Sequence, residues 1–231
     1  MHRIVRSPST KLQHVLVRTT VRIVAGPTTH STGRGDPGRS GTRAAETAAR
    51  KQRLLIAATD LAAEGGYEAV QMRDVAARAE VALGTLYRHY ASKDQLLLAA
   101  LADQAATLRE RLDQRPPRGD APADRVADVL RRATRALERQ PRVTHAMVTA
   151  MSVSDDSAAP VKQEINDTLR AIIVDAVDGT PVPGLDDIVR VLGSVWFAEL
   201  TFWSGGLTDA TAMADHLARA ATLLLGSGRS G

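Results

Sequence analysis

The sequence predicts an all-α protein of about nine helices, and three observations support that fold class. Ala, Leu, Arg and Glu are abundant, whereas Phe, Trp and Tyr make up only 3% of the 231 residues. Apolar residues recur at helical spacing from residue 46 to residue 225, and no segment reads as a strand. Gly-rich and Pro-rich breaks divide this stretch. We expect an N-terminal three-helix unit followed by a larger helical bundle.

The composition excludes several classes of chemistry. The chain has no cysteine, which rules out disulfides, thiol catalysis and Cys-based zinc sites and suits the reducing cytoplasm, the predicted location. No apolar run approaches the roughly 18 residues of a membrane span. The sequence contains neither H-E-x-x-H nor G-x-S-x-G, and His145 and His216 stand singly. We therefore expect neither an enzyme nor a metal, cofactor or membrane partner.

The positive charge is concentrated in the first 45 residues. They contain eight Arg or Lys and one acid, whereas the remaining 186 residues contain 22 basic and 25 acidic side chains. Pro8, Pro27, Pro37 and the run "STGRGDPGRSG" disfavour regular structure there. The pattern predicts a disordered basic arm over residues 1–45. A translation start assigned too far upstream would look the same.

The first folded segment is predicted to contain three helices. One face becomes apolar from Glu46, and the Gly-Gly pair at 65–66 should stop the first helix. Two short helices, 72–79 and 83–90, follow and are joined by a tight link at 80–82. Two short helices so joined form a helix-turn-helix, whose second helix enters the DNA major groove.

The second short helix has two distinct faces. At about 100° per residue, an apolar arc of about 100° is predicted to face the core; it comprises Leu83, Leu86, Tyr87 and Tyr90. The opposite face offers a glycine that lets backbone approach phosphate, a hydroxyl, a guanidinium that can grip guanine and a second donor. These residues are Gly84, Thr85, Arg88 and His89. The pattern favours DNA contact over an ordinary solvated face, which is the alternative.

A long helix, 92–113, is predicted to start at a capping box. Ser92 and Gln95 form its S-x-x-Q pattern. Lys93 lies in the first turn, where the helix dipole disfavours a cation unless an anion is near. A DNA phosphate would meet that requirement. The alternative is a capped helix whose lysine simply reaches solvent.

Five further helices are predicted beyond the break "QRPPRGDAP", and the fourth of them is apolar on nearly every face. Their ranges are 123–140, 141–152, 158–178, 185–205 and 208–225. A helix that is apolar all round must be buried on all sides, which a symmetric partner at the last two helices would explain. The alternative is a central core helix of a monomer.

The stretch "MRDVAARAEVALGTLYRHYASKDQLLLAAL" resembles the DNA-binding signature of the TetR family of bacterial repressors, and the likeness is close over residues 50–101. It implies base contacts from Thr85, Arg88 and His89 and phosphate contacts from Gln71, Arg73, Tyr87 and Lys93. The chain departs from the family pattern twice. Glu80 stands where glycine is common, and Ala82 replaces the usual Ser cap.

The same resemblance implies the remaining organisation of the chain. Residues 46–95 would form the DNA-binding domain and 96–228 the effector-binding and dimerisation domain. The protein would be a homodimer through its last two helices, bound to palindromic operator DNA. From the continuity of the long helix with the DNA-binding unit, we expect a hydrophobic inducer to tilt this helix and so change the spacing of the recognition helices. Met and aromatic side chains can line such a pocket, although they are more often plain core; the candidates are Leu101, Met147, Met151, Trp196, Leu200 and Trp203.

A narrower resemblance concerns the regulated pathway. "GGYEAVQMRDVAARAEVALGTLYRHY", with "THAM", "DDSAA" and "SVWFAEL", is similar to actinobacterial repressors of cholesterol and steroid catabolism. That likeness implies a steroid acyl-CoA inducer. The alternative is a repressor or activator of efflux or fatty-acid metabolism genes that responds to another hydrophobic molecule.

Overall fold

The computed structural model of the chain describes residues 37–226, with side chains from residue 42 onward. Residues 1–36, which make up most of the predicted arm, lie outside the described range. The described side chains all belong to one compact unit that begins at residue 41. Over residues 37–226 the backbone forms nine α-helices and no strand, which confirms the all-α prediction.

The helices follow one another with short connections. They are α1 (Pro37–Ala69), α2 (Met72–Arg78), α3 (Leu83–His89), α4 (Lys93–Gln114), α5 (Pro122–Glu138), α6 (Pro141–Ser152), α7 (Ala159–Val177), α8 (Leu185–Ser204) and α9 (Ala210–Leu225). A short 3-10 turn, Asp156–Ala158, precedes α7. From α2 onward the predicted ends agree with these bounds within two residues, because Gly, Pro and capping residues mark them.

Helix α1 differs from the prediction at its start. It begins at Pro37, so the expectation of irregular structure up to residue 45 is wrong over residues 37–45. Proline suits the first turn of a helix, because its φ is already helical and its missing N–H would have no partner there. The predicted glycine stop is confirmed. Gly65 (φ −139°) and Gly66 (φ 72°) interrupt the helical geometry, and the last helical residues run on to Ala69.

A first hydrophobic core joins the three N-terminal helices to α6. Leu54 of α1, Leu86 of α3, Leu96 of α4 and Met147 of α6 are almost completely buried in it. Helix α4 runs across the predicted boundary between residues 95 and 96 without a break. The helix-turn-helix and α6 therefore share one continuous core.

A second core lies in the rest of the bundle. It takes Leu112 from the end of α4 and otherwise comes from α5, α7, α8 and α9, with Leu130 and Met213 fully buried. Leu169 of α7 packs against both cores. Arg125 of α5 caps α7 by donating 2.9 Å hydrogen bonds to the carbonyls of residues 176 and 177, which have no helical partner.

Candidate DNA interface and effector-binding residues

The turn between α2 and α3 has the hydrogen bonds of a Schellman motif. The N–H of Val81 donates to the Ala76 carbonyl over 2.9 Å, and the N–H of Glu80 donates to the Ala77 carbonyl over 3.2 Å. Glu80 has a φ of 53°, so it occupies the left-handed position that glycine prefers. The departure from the family pattern at Glu80 therefore places an L-residue in a strained backbone conformation.

Two arginines hold α2 against α1. Arg53 Nε donates to the Ala79 carbonyl over 3.1 Å, and Arg78 makes two hydrogen bonds of 2.7 and 3.0 Å with the Glu64 carboxylate. The hydrogen bond from Arg78 lowers the pKa of Glu64. These contacts were not predicted from the sequence, because their partners lie 14 and 26 residues apart and share no local pattern. Both contacts lie at the C-terminal end of α2, next to the turn that leads to α3.

Helix α3 buries a narrower arc than predicted. Leu86 and Tyr90 are buried, but Leu83 is 37% exposed and Tyr87 51% exposed. Measured around the helix from Leu86, Tyr90 lies at about 40°, Leu83 at about 60° and Tyr87 at about 100°. Exposure rises in that order, so the prediction that Leu83 and Tyr87 face the core is wrong. The exposed Tyr87 is compatible with the phosphate contact that the resemblance implies.

The outward face of α3 centres on Gly84 and Arg88, which are both exposed. No atom outside the local backbone lies within 4 Å of where a Cβ on Gly84 would stand. Arg88 Nη2 donates to Thr85 Oγ1 over 2.8 Å, which orients the guanidinium and leaves its other N–H groups available. Thr85 and His89 are half-buried at the flanks of this face.

His89 lies among cations. Burial lowers its pKa from 6.5, and the nearby charges of Lys51, Arg50 and Arg88 lower it further. Its ring centroid lies 6.3 Å from that of Tyr90. Burial, followed by the charge of Asp103, raises the pKa of Tyr90 to about 12. At neutral pH His89 is therefore a neutral imidazole, with one donor and one acceptor.

Helices α3 and α4 begin differently. Ala82, before α3, makes no side-chain cap bond, as the sequence predicts. Only the first half of the predicted capping box is present in α4. Ser92 Oγ accepts from the Gln95 N–H over 3.1 Å, but Gln95 Oε1 accepts from the N–H of Ala91, the residue before the cap, over 2.6 Å. The start of α4 is thus the better-defined helix end.

Lys93 has anionic and aromatic neighbours within the protein. Its Nζ lies 3.7 Å from the centroid of the Tyr67 ring and 3.7 Å from Glu68 Oε2. The Tyr67 hydroxyl donates to Asp94 Oδ1 over 2.7 Å. Burial, followed by this hydrogen bond, raises the pKa of Tyr67. These neighbours stabilise a cation at the α4 N-terminus without DNA, and the phosphate contact of Lys93 stays a prediction.

The remaining predicted phosphate contacts lie at the start of α2. Gln71 and Arg73 are both exposed. Gln71 Nε2 donates to the Glu68 carbonyl over 2.9 Å. The eight predicted DNA-contacting residues therefore belong to three neighbouring parts of the chain: the start of α2, helix α3 and the first turn of α4.

The six predicted effector-binding residues separate into two groups. Leu101, Met147 and Met151 pack in or against the first core. The other three, which pack against the second core, are Trp196, Leu200 and Trp203. Helix α6, which carries Met147 and Met151, packs against α8, which carries the second group, so the two groups lie on neighbouring helices. The Nε1 atom of Trp196 is buried without a hydrogen-bond partner in the described structure.

An open groove of about 490 Å³ lies between α5 and α9. Its lining residues are Asp124, Ala127, Arg131, Asp215, Ala218, Arg219, Thr222 and Leu223, and none of these is a predicted effector-binding residue. Over residues 37–226, no three His, Asp or Glu side chains are arranged as a metal site. None of the helices in that range has the length and apolarity to cross a membrane.

The last two helices expose apolar side chains. Of the apolar residues that the sequence places all round α8, only Val189 and Leu192 are buried in the single chain. The large exposed ones in this part of the chain are Val191, Phe197, Phe202, Leu207 and Leu223. His216 Nδ1 of α9 lies 3.0 Å from Glu199 Oε1 of α8, which holds the two helices together.

Comparison with known proteins agrees with this geometry. Residues 54–100 match the family of bacterial regulatory proteins called tetR, and residues 119–224 match the tetracyclin repressor-like C-terminal domain. The HTH-type transcriptional repressor KstR of Rhodococcus jostii (strain RHA1) is 40% identical over 182 residues, which span 78% of this chain and 84% of that repressor.

Two solved structures share the fold. The crystal structure of a TetR transcriptional regulator from Rhodococcus sp. RHA1 is 33% identical, covers 80% of this chain and all of its own, and superposes with a TM-score of 0.73. The FadR repressor of Thermus thermophilus, solved with lauroyl-CoA, is 20% identical with a TM-score of 0.62 over 78% of this chain and 96% of its own. The chain therefore belongs to the TetR family of bacterial transcriptional regulators.

Proposed function

We propose that the protein is a homodimeric, ligand-responsive repressor that acts in the cytoplasm and is released from palindromic operator DNA by an apolar, acyl-CoA-like inducer. The regulated genes would belong to steroid or other lipid catabolism. The observation that carries this proposal is the exposed face of α3, where Arg88 and Gly84 stand clear of the core in a chain 40% identical to the repressor KstR.

DNA recognition would divide between two types of contact. Arg88 can pair with guanine in the major groove through two N–H groups, and the half-buried Thr85 and His89 would read neighbouring bases. Phosphates would meet Gln71, Arg73, Tyr87 and Lys93, with the backbone of Gly84 approaching closely. Residues 46–95 contain seven basic and seven acidic side chains, so the attraction would come from the local placement of the cations or from the basic first 45 residues.

The exposed apolar side chains of α8 and α9 support dimerisation. Phe197 and Phe202 are 40% and 47% exposed, and Val191 is 42% exposed on the same helix. A symmetric four-helix contact would remove them from water, since the same patch on each subunit meets its own copy. A dimer also places two recognition helices on successive half-sites of a palindrome.

Several observations support a large, apolar inducer. The candidate residues Met147, Met151, Trp196 and Trp203 are adaptable or aromatic, and Trp196 offers an N–H donor without a partner. The sequence similarity to steroid-catabolism repressors favours a steroid acyl-CoA. The shared fold can hold an acyl-CoA in at least one protein, the Thermus FadR bound to lauroyl-CoA.

The test begins with genomic DNA fragments selected by the purified full-length protein. We expect enrichment of palindromic sites beside steroid-degradation genes. The bound complexes are then challenged with a steroid CoA thioester, with lauroyl-CoA and with free CoA at equal concentrations. Release by the steroid thioester alone supports the proposal.

The other outcomes decide between the alternatives. Preferential release by lauroyl-CoA would assign the protein to fatty-acid metabolism, and sites beside efflux genes would assign it to that class. Transcription from an enriched promoter that rises when the protein is added would make it an activator. If no palindrome is enriched and the protein elutes as a monomer at micromolar concentration, the proposal is wrong.

A further inference from the structure

The first turn of α4 is tied to the segment that links α6 to α7. The Ser92 hydroxyl accepts the Gln95 N–H as a helix cap and donates to Asp155 Oδ2 over 2.7 Å, across 63 residues of sequence. Gln95 Nε2 also reaches this link and donates to the Ser157 carbonyl over 3.3 Å. One serine hydroxyl therefore serves both the helix cap and the tie.

Asp155 is held rigidly on its own side of this contact. Its Oδ1 accepts hydrogen bonds from the Ser157 N–H over 2.9 Å and from the Ser157 hydroxyl over 2.6 Å. Lys162 Nζ donates to the Val153 carbonyl over 2.7 Å and so braces the start of the link. The hydrogen bonds from Ser157 and then Ser92 lower the pKa of Asp155, so the carboxylate is charged at neutral pH. Because their acceptor is charged, the hydrogen bonds that Ser92 and Ser157 donate to Asp155 are stronger than bonds to a neutral acceptor.

The contact joins two functional parts of the molecule. Ser92 follows the recognition helix by three residues, and only the buried Tyr90 and the exposed Ala91 separate them. On the other side, the link begins one residue after α6, whose Met147 and Met151 are candidate effector-binding residues. A displacement of the C-terminal end of α6 must therefore move Asp155 relative to Ser92 or carry Ser92 with it.

Helix α6 contacts the DNA-binding unit at its other end too. Arg142 Nη1, in the first turn of α6, donates over 2.8 Å to the carbonyl of Glu64, just before the kink at Gly65. The face between the two ends is buried in the same core as Leu54 and Leu86. Two polar ties and a shared core therefore bind α6 to the helix-turn-helix.

We propose that Asp155 and Ser92 are positioning residues that form a latch: their hydrogen bond sets the orientation of α3, and a shift of α6 transmits effector binding through it. The transmission step rests on the function proposed above. The orientation step does not, because it concerns the protein without DNA or effector.

The first experiment measures amide hydrogen exchange over residues 83–95 in the free, full-length protein. Asp155→Ala removes the acceptor, and Asp156→Ala is the matched control, because the neighbouring side chain has the same charge and makes no hydrogen bond within the described residues. We expect exchange about tenfold faster in Asp155→Ala than in the control, the effect of one charge-assisted hydrogen bond. Equal exchange in the two variants overturns the latch whether or not the protein binds DNA.

A second pair of variants separates the latch from the helix cap. Ser92→Asp keeps a good N-cap but brings a second carboxylate against Asp155, whereas Ser92→Thr keeps the hydroxyl and both of its roles. Ser92→Asp should therefore speed exchange over residues 83–90 although α4 remains capped, and Ser92→Thr should match the wild type. If Asp155→Ala does not fold, this pair decides the question by the same measurement.

The transmission step is tested with operator DNA. We expect Asp155→Ala to bind operator about tenfold more weakly than Asp156→Ala, and a steroid CoA thioester to change that affinity less than it changes that of the control. An unchanged response to the thioester would refute transmission through the latch. Failure of the wild-type protein to bind DNA would refute the proposed function and leave the result on orientation intact.

Discussion

Replacing Glu80 by glycine should stabilise the protein, although Glu80 makes no ion pair that would be lost among the described residues. Its φ of 53° places a side chain in the left-handed region, and the Schellman hydrogen bonds from Glu80 and Val81 keep it there. The left-handed conformation costs an L-residue about 1–2 kcal/mol, which glycine does not incur.

The expected gain in the free energy of unfolding is smaller than this strain energy. Glycine raises the conformational entropy of the unfolded chain, which offsets about 0.4–1 kcal/mol of the benefit. The net increase in the free energy of unfolding of Glu80→Gly is thus about 1 kcal/mol. For a chain of this size, that corresponds to a rise in Tm of about 2–4 °C.

Two further substitutions separate backbone strain from charge. Glu80→Gln removes the charge and keeps the strain, whereas Glu80→Asn removes the charge and relieves part of the strain, because asparagine tolerates the left-handed region. We expect Tm to rise from Gln to Asn to Gly, with Gln close to wild type. Thermal unfolding is followed by circular dichroism at one protein concentration, since the Tm of a dimer depends on concentration.

The affinity for operator DNA should depend only on the charge of residue 80. All three variants should bind operator more tightly than wild type by a similar factor, and the gain should shrink at high salt as the lost repulsion is screened. A Tm for Glu80→Gly no higher than that for Glu80→Gln would refute the strain argument. Unequal operator affinities among the three variants would show that the shape of the turn, and not its charge, controls binding.

Three other predictions concern the recognition face and the last two helices. In competition titrations, Arg88→Ala should lower the discrimination between operator and a mismatched site by about 1–3 kcal/mol. Lys93→Ala should instead weaken binding to both sites and reduce the slope of log affinity against log salt concentration by about 1. Equal effects of the two substitutions on specificity would contradict the assignment of Arg88 to a base and Lys93 to a phosphate. Phe202→Glu should yield monomers in analytical ultracentrifugation, and a persisting dimer would exclude the α8–α9 contact. His89 should titrate below pH 6.5 by NMR, because burial and three cations disfavour its charged form. Because the pKa of His89 is lower in the folded than in the unfolded protein, the contribution of His89 to stability is complete above about pH 6.5 and declines as the pH falls. The substitution His89→Gln should remove that decline.

Local signals in the sequence determined the helices and the identity of the recognition helix. Apolar spacing marks each helix, and Gly, Pro or a capping residue marks most ends, because these preferences act within one or two helical turns. The Ser92 cap and the glycine break at residues 65–66 were predictable for that reason. The start of α1 was not, because Pro37 both ends an irregular run and opens a helix.

Tertiary packing decided what the individual side chains contact. Whether Leu83 and Tyr87 are buried depends on how much of the α3 surface the other helices cover. The helical periodicity of the sequence does not specify that coverage. Lys93 finds Tyr67 and Glu68 about 25 residues away, and Ser92 finds Asp155 at a separation of 63. Such contacts form only when distant segments fold together, so a local pattern can identify a cap or a face but cannot name its distant partner.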